Sequence, residues 1–123
     1  LDAAHNADGC AALAKHLHGL PRSRRALVFG VMQDKDYADM LRLLAPEVDS
    51  VHYAKPALAR AAELTELTAV VPGQVAKHVG QALQRARKAA GPRGLVVVAG
   101  SIFLVAEARA KLLRVPTDPL IRL

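Results

Sequence analysis

Two short apolar runs constrain this chain more than any other feature: RALVFGV at 25–31 and LVVVA at 95–99. Each is continuous, bounded by polar residues, and too short for a helix. A strand apolar on both sides has to be covered on both sides, as strands of a parallel sheet flanked by helices are. Between and around the two runs the apolar pattern changes to the helical repeat. Cys10, Leu13, Leu17 and Leu20 recur at helical spacing behind Asp8, a candidate cap, and Gly19 and Pro21 close that segment.

The same reading predicts a helix over 36–44 ahead of Pro46, a strand over 48–54, a short helix over 61–67 and a short strand over 69–71. Pro72 and Gly73 make a turn. The spacing then predicts a long helix over 74–90, with Val75, Val79, Ala82, Leu83 and Ala86 on one face and GPRG at 91–94 as its stop. A last helix is expected over 103–113, and the tail VPTDPLIRL as a loop with an edge strand. Residues 1–2 read as the end of a strand. Strands and helices alternate, so the expected fold is a three-layer, Rossmann-like α/β domain: a mostly parallel sheet with helices on both faces, spanning 1–123.

Composition narrows the partners. Aromatic residues make up 3% of the 123 residues, so the core has to be built from Val, Leu, Ile and Ala. A net charge of +6 permits anion binding without requiring it. The basic residues, densest in RSRR at 22–25, have no interleaved aromatic platforms, so no nucleic-acid partner is expected. Cys10 is the only cysteine, which excludes an internal disulfide and reads as buried filler. No apolar run approaches the ~18 residues of a membrane span, and no signal-like segment is present, so a cytoplasmic location and no membrane partner are expected. The chain starts without Met and inside a motif, and is expected to be part of a longer polypeptide.

In doubly wound sheets ligands bind past the carboxyl ends of the strands. Three polar clusters are expected there: Asp2 to Asn6, Asp34 to Asp36, and Gly100–Ser101. Asp2 could accept hydrogen bonds from the vicinal hydroxyls of a ribose, or cap the next turn. His5 could meet a carboxylate or phosphate, or satisfy loop backbone. Lys35 could reach an anion, or stand in solvent beside a capping Asp34. Ser101 opens a helix whose free N–H groups, with the hydroxyl, make an anion seat; it is equally an ordinary helix cap. GxGxxG, GxxxxGK[ST] and GxSxG are all absent, so nucleotide phosphates would need some other holder. No metal-ligating spacing is found among His5, His16, His18, His52 and His78.

LDAAHNADG at 1–9, GVMQDKD at 30–36, Ala-Arg-Ala at 59–61 and GSIFLVAEAR at 100–109 stand in the order and spacing of one family. Together they resemble the C-terminal domain of folylpolyglutamate synthase/dihydrofolate synthase, in the Mur ligase superfamily, over residues 1 to about 113. The family usually reads LDGAHNP in the first motif; Ala3 and Ala7 replace Gly and Pro here, and no functional side chain is lost. Ile102–Phe103 stands where members often have Leu-Tyr.

The resemblance implies a folate-biosynthetic, one-carbon-metabolism ligase. ATP phosphorylates a pteroate or folate carboxylate, the amine of L-glutamate attacks the acyl phosphate, and phosphate leaves. It implies ATP and Mg²⁺ held mainly by an N-terminal ATPase domain of the same polypeptide, with this domain as a closing lid that is inactive alone. It implies Asp2 on the ribose with Asn6 orienting the loop, His5 as the catalytic group where glutamate and phosphates meet, Ser101 on a glutamate carboxylate, and Lys35 and Arg60 as further anion contacts. The alternatives are a peptidoglycan-precursor Mur ligase domain, a stand-alone nucleotide- or anion-binding regulatory domain, and a basic nucleic-acid binder whose affinity would fall steeply with salt.

Overall fold

Val28 of one apolar run lies beside Val98 of the other, so the two runs pair directly. The computed structural model describes residues 5–57 and 60–112. The elements are α1 (Ala7–Gly19), β1 (Arg25–Gly30), α2 (Tyr37–Leu44) with a short 3₁₀ turn (Ala45–Glu47), β2 (Ser50–Tyr53), α3 (Leu64–Val70), β3 (Gln74–Val75), α4 (Val79–Ala90), β4 (Leu95–Gly100) and α5 (Ile102–Leu112). The four strands are parallel, in the order β3-β2-β1-β4. β1 and β4 run in register from Arg25 beside Leu95 to Gly30 beside Gly100.

Every residue of β1 and β4 is buried, as the continuous apolar runs require. Alternate positions serve opposite faces. Leu27, Phe29, Val97 and Ala99 join Leu13 and Leu17 of α1, Met40 and Leu41 of α2 and Leu67 of α3 in one cluster. Ala26, Val28, Val96 and Val98 join Val79, Ala82, Leu83 and Ala86 of α4 and Leu104 and Ala108 of α5 in the other. Parallel crossovers are right-handed. Stepping outward from β1 to β2 to β3 therefore puts α2 and α3 on one face, and the return from β3 to β4 puts α4 on the other.

The predicted three-layer class is what forms, with several shifted boundaries. α1 begins at Ala7: Asn6 is its cap, its Oδ1 accepting from Gly9 N at 2.7 Å, while Asp8 lies inside the first turn. There its carboxylate complements the helix dipole. α3 covers Leu64–Val70, not 61–67, because Ala61 pairs with Met32 in an antiparallel bridge. The strand expected over 69–71 is the end of that helix. The helix expected from residue 74 starts at Val79, and Gln74–Val75 instead pairs with His52 and Tyr53 as the edge of the sheet. Val75 is 49% exposed and belongs to no helical face. The expected strand end at 1–2 and the tail lie outside the described residues.

His52 faces the α4 side of β2 and is 2% exposed. Its Nε2 meets Ser50 Oγ at 3.0 Å, while Nδ1 has no hydrogen-bond partner among the described residues. Burial, and then the charge of Arg85, push its pKa below 6.5. A lowered folded-state pKa means that the unfolded chain binds the proton more readily. Stability is therefore full above the unfolded value and falls as pH drops through 6.5 toward the folded value. Urea unfolding midpoints between pH 7.5 and 5 should fall more in the wild type than in His52→Asn; equal slopes would remove His52 from the acid response.

Candidate functional site

The chain leaves β1 for α2 on one face and leaves β4 for α5 on the other. Between them the sheet has its topological switch point, and the crevice that opens there is the default ligand site of such a fold. Two glycines line its floor. A Cβ on Gly100, whose φ is +116°, would strike the Gly30 carbonyl oxygen, and one on Gly30 would strike the carbonyl of Ala54. The backbones of three strand ends therefore come together closely, and the following residues rise from a compact base.

Ser101 follows Gly100 directly and is 3% exposed. Its Oγ accepts from Phe103 N at 3.1 Å and its carbonyl accepts from Val105 N at 3.0 Å, so Ser101 caps α5. Among the described residues the Ser101 hydroxyl donates to no acceptor. The next two side chains, Ile102 and Phe103, are about half exposed.

Beyond β1, the turn of residues 31–36 exposes Gln33, Asp34, Lys35 and Asp36. It is pinned by its backbone: Lys35 N donates to Met32 O at 3.2 Å and Tyr37 N to Lys35 O at 2.9 Å. The segment after β2 is tied to it. Gln33 N donates to Arg60 O at 2.7 Å, and Ala62 N donates to Val31 O at 2.7 Å. The sequence separates Lys35 and Arg60 by two elements; this backbone pairing places their residues on adjoining loops. Among the described residues no ion pair engages either cation, whereas Lys55 pairs with Glu63 at 2.8 Å.

His5 and Asn6 reach the same edge by a different route. α1 ends at Gly19, and its cap Leu20 lies beside the start of β1, where Arg25 Nη2 donates to Leu20 O. A helix of 13 residues runs about 20 Å, close to the span of a six-residue strand. Running antiparallel to β1, it returns its amino end to the carboxyl edge of the sheet. His5 is exposed there, and the Asn6 amide oxygen is committed to the helix cap. Asp2, the expected ribose contact, lies outside the described residues.

Glu107 and the close approach of Gly30 to Gly100 were not anticipated as site features, although Gly100 itself was expected at the ligand edge. Glu107 Oε1 accepts from Ala57 N at 3.0 Å, joining α5 to the Arg60 segment. Its only signal in sequence is its place in GSIFLVAEAR. Two concavities lie elsewhere, at the opposite edge of the sheet, about 800 Å³ beside Arg25 and Glu47 and about 450 Å³ beside Arg24 and Lys88. Their basic residues include Lys88 in the last turn of α4, where it complements the helix dipole. No group of three His, Cys, Asp or Glu side chains among the described residues could hold a metal ion. No described helix is long and apolar enough to cross a membrane.

Residues 1–102 match the family model described as Mur ligase, glutamate ligase domain. A probable bifunctional folylpolyglutamate synthase/dihydropteroate synthase of Haloferax volcanii is 39% identical over 115 residues, 89% of this chain and 14% of that protein. A bifunctional folylpolyglutamate synthase/dihydrofolate synthase of Yersinia pestis, complexed with AMPPNP and Mn ion, superposes with a TM-score of 0.85 at 30% identity. The match covers 92% of this chain and 28% of that one. A bifunctional folylpolyglutamate synthase/dihydrofolate synthase with Mn, AMPPNP and L-glutamate bound gives the same TM-score, 0.85, with the same identity and coverage. The chain therefore spans less than a third of each of these proteins.

Proposed function

The chain belongs to the Mur ligase family as its glutamate ligase domain, and on that premise we propose that it serves as the lid of an ATP-dependent ligase joining L-glutamate to a dihydropteroate or folate carboxylate. The observation that carries this reading is a buried Ser101 hydroxyl at the switch point, opening α5 beside loops that bear Lys35 and Arg60. L-Glutamate brings two carboxylates and an amine. A helix amino end with a serine hydroxyl suits one carboxylate, and a flexible cation from a neighbouring loop suits the other.

In this reading ATP phosphorylates the acceptor carboxylate and ADP leaves. The glutamate amine attacks the acyl phosphate carbon, the tetrahedral intermediate collapses, and phosphate departs with the amide formed. Ser101, Lys35 and Arg60 hold the glutamate carboxylates. His5 stands where glutamate and the phosphates meet, and Asp2 takes the ribose hydroxyls, with Asn6 orienting the loop through its cap bond. Closure of the lid would shield the acyl phosphate from water. Mg²⁺ and the phosphate loop are assigned to the rest of the polypeptide, because this chain has neither a GxxxxGK[ST] sequence nor, among the described residues, a metal-ligating cluster. The isolated domain is expected to be inactive.

The relative from Haloferax volcanii favours a parent that also carries a dihydropteroate synthase segment and so makes its own acceptor. The test is phosphate release from ATP by the parent polypeptide with dihydropteroate or tetrahydrofolate, offered L-glutamate, D-glutamate, L-alanine or meso-diaminopimelate in turn. Release should depend on L-glutamate. Dependence on one of the other amino acids, with a peptidoglycan precursor as acceptor, would move the chain to the sister ligases.

A further inference from the structure

Two backbone hydrogen bonds, which together make the Met32–Ala61 bridge, fasten the Arg60 segment to the turn after β1, but that zipper does not reach Ser101. Ala62 N bonds Val31 O, and Gln33 N bonds Arg60 O. The two anion seats of the proposed site sit on two bodies that meet at the sheet, where Gly30 pairs with Gly100: Arg60 on the segment after β2, and Ser101 on the first turn of α5. Among the described residues, one side-chain hydrogen bond joins those bodies. Glu107 Oε1, two turns along α5 from Ser101, accepts from Ala57 N at 3.0 Å across 50 residues of sequence. Glu107 is half-buried, and no ion pair among the described residues competes for its carboxylate.

We propose that Glu107 is a positioning residue: by holding the Ala57 N–H, it fixes the segment carrying Arg60 relative to the α5 amino end carrying Ser101. This rests on the glutamate-binding reading given above. The chemistry asks for an acceptor at this point, not for a charge. An amide oxygen at the same place can take the Ala57 N–H, whereas a methyl leaves it to water. The sheet would still hold both seats, but the Ala57 end of the Arg60 segment would lose its tie to α5, and a dicarboxylate that needs both seats would bind more weakly. A displacement of about 1 Å between positioning groups can cost up to about a hundredfold.

The experiment compares the full-length parent with its Glu107→Gln and Glu107→Ala variants by two readouts. The first is hydrogen exchange at the Ala57 amide, which needs no substrate. Exchange should be about tenfold faster in Glu107→Ala and near wild type in Glu107→Gln. The second is steady-state kinetics. In Glu107→Ala the KM for L-glutamate should rise about tenfold with the KM for ATP unchanged, and Glu107→Gln should restore it to within about twofold. Unchanged exchange in the alanine variant would overturn the link. Faster exchange with an unchanged glutamate KM would overturn the positioning role. A glutamine variant as impaired as the alanine one would show that charge, not position, is what matters. If the wild-type parent does not use L-glutamate, the substrate reading fails, and the exchange result still decides whether Glu107 holds the segment.

Discussion

Gly100→Ala is expected to cost about 4 kcal/mol or more, a large part of the whole stability of a domain this size. Two separate penalties combine. The backbone there has φ +116°, where a side chain adds about 1–3 kcal/mol of strain. The new methyl would also strike the Gly30 carbonyl oxygen and come within 3.1 Å of Phe29 Cε1. Neither neighbour can yield, because Gly30 is the last paired residue of β1 and Phe29 is fully buried. Overpacking of this kind adds a further ~1–3 kcal/mol. Gly91 is the control. It too has a positive φ, +77°, but a methyl there meets nothing within 4 Å. Gly91→Ala should cost about 1–3 kcal/mol, from strain alone, and urea unfolding of the two variants separates strain from collision. Equal losses would mean that the glycine contact at the switch point is not tight.

Arg25→Ala should destabilise the chain by about 2–4 kcal/mol, the second largest effect. Arg25 opens β1, yet only 9% of its side chain is exposed. Its guanidinium gathers the ends of three segments, donating to Leu20 O and Pro21 O at 3.4 Å and to Glu47 O at 3.3 Å. It also lies 4.0 Å from Glu47 Oε1. Truncation strands these acceptors and removes the packing of the aliphatic stem. Arg25→Met separates the two contributions. It restores the stem but supplies no donor, so it should recover only part of the loss. Full recovery would mean that the hydrogen bonds contribute nothing net.

Much of this architecture was legible because its strongest elements follow one rule each. The runs at 25–31 and 95–99 are apolar without interruption, and both became central strands covered on two faces. The misread stretches satisfy two patterns at once. QVAKH at 74–78 continues the helical spacing of 79–90, yet Gln74 and Val75 are drawn into the sheet by pairing with β2. One local signal was available: His78 Nδ1 accepts from Gln81 N at 3.1 Å while Gln81 Oε1 accepts from Lys77 N at 2.8 Å, a reciprocal cap that starts α4 at Val79. The shift of α3 had no such signal, because the Met32–Ala61 bridge is a long-range contact.

The site divides in the same way. Ser101 and the 31–36 turn could be placed from the ends of the apolar runs. The neighbourhood of Arg60 could not, because it is set by the pairing of two loops through Gln33 N and Arg60 O. Asn6 was expected at the ligand loop and is there by topology, but its amide oxygen is used by the helix cap. The glycines at 30 and 100 look in sequence like ordinary strand ends. Their meaning appears only when the register sets them side by side.

The central claim is that the Ser101 hydroxyl binds a carboxylate of the incoming amino acid. The most direct measurement is the KM for L-glutamate of the parent polypeptide carrying Ser101→Ala or Ser101→Gly, with the KM for ATP measured alongside. Glycine is an adequate helix cap and alanine a poor one, so the pair separates the loss of the hydroxyl from the loss of the cap. A hydrogen bond to a charged group contributes about 1.5–3 kcal/mol. Both variants should therefore raise the glutamate KM by about tenfold or more and leave that for ATP within about twofold. A glutamate KM that stays at the wild-type value in Ser101→Gly would contradict the claim and leave Ser101 as a cap of α5 alone.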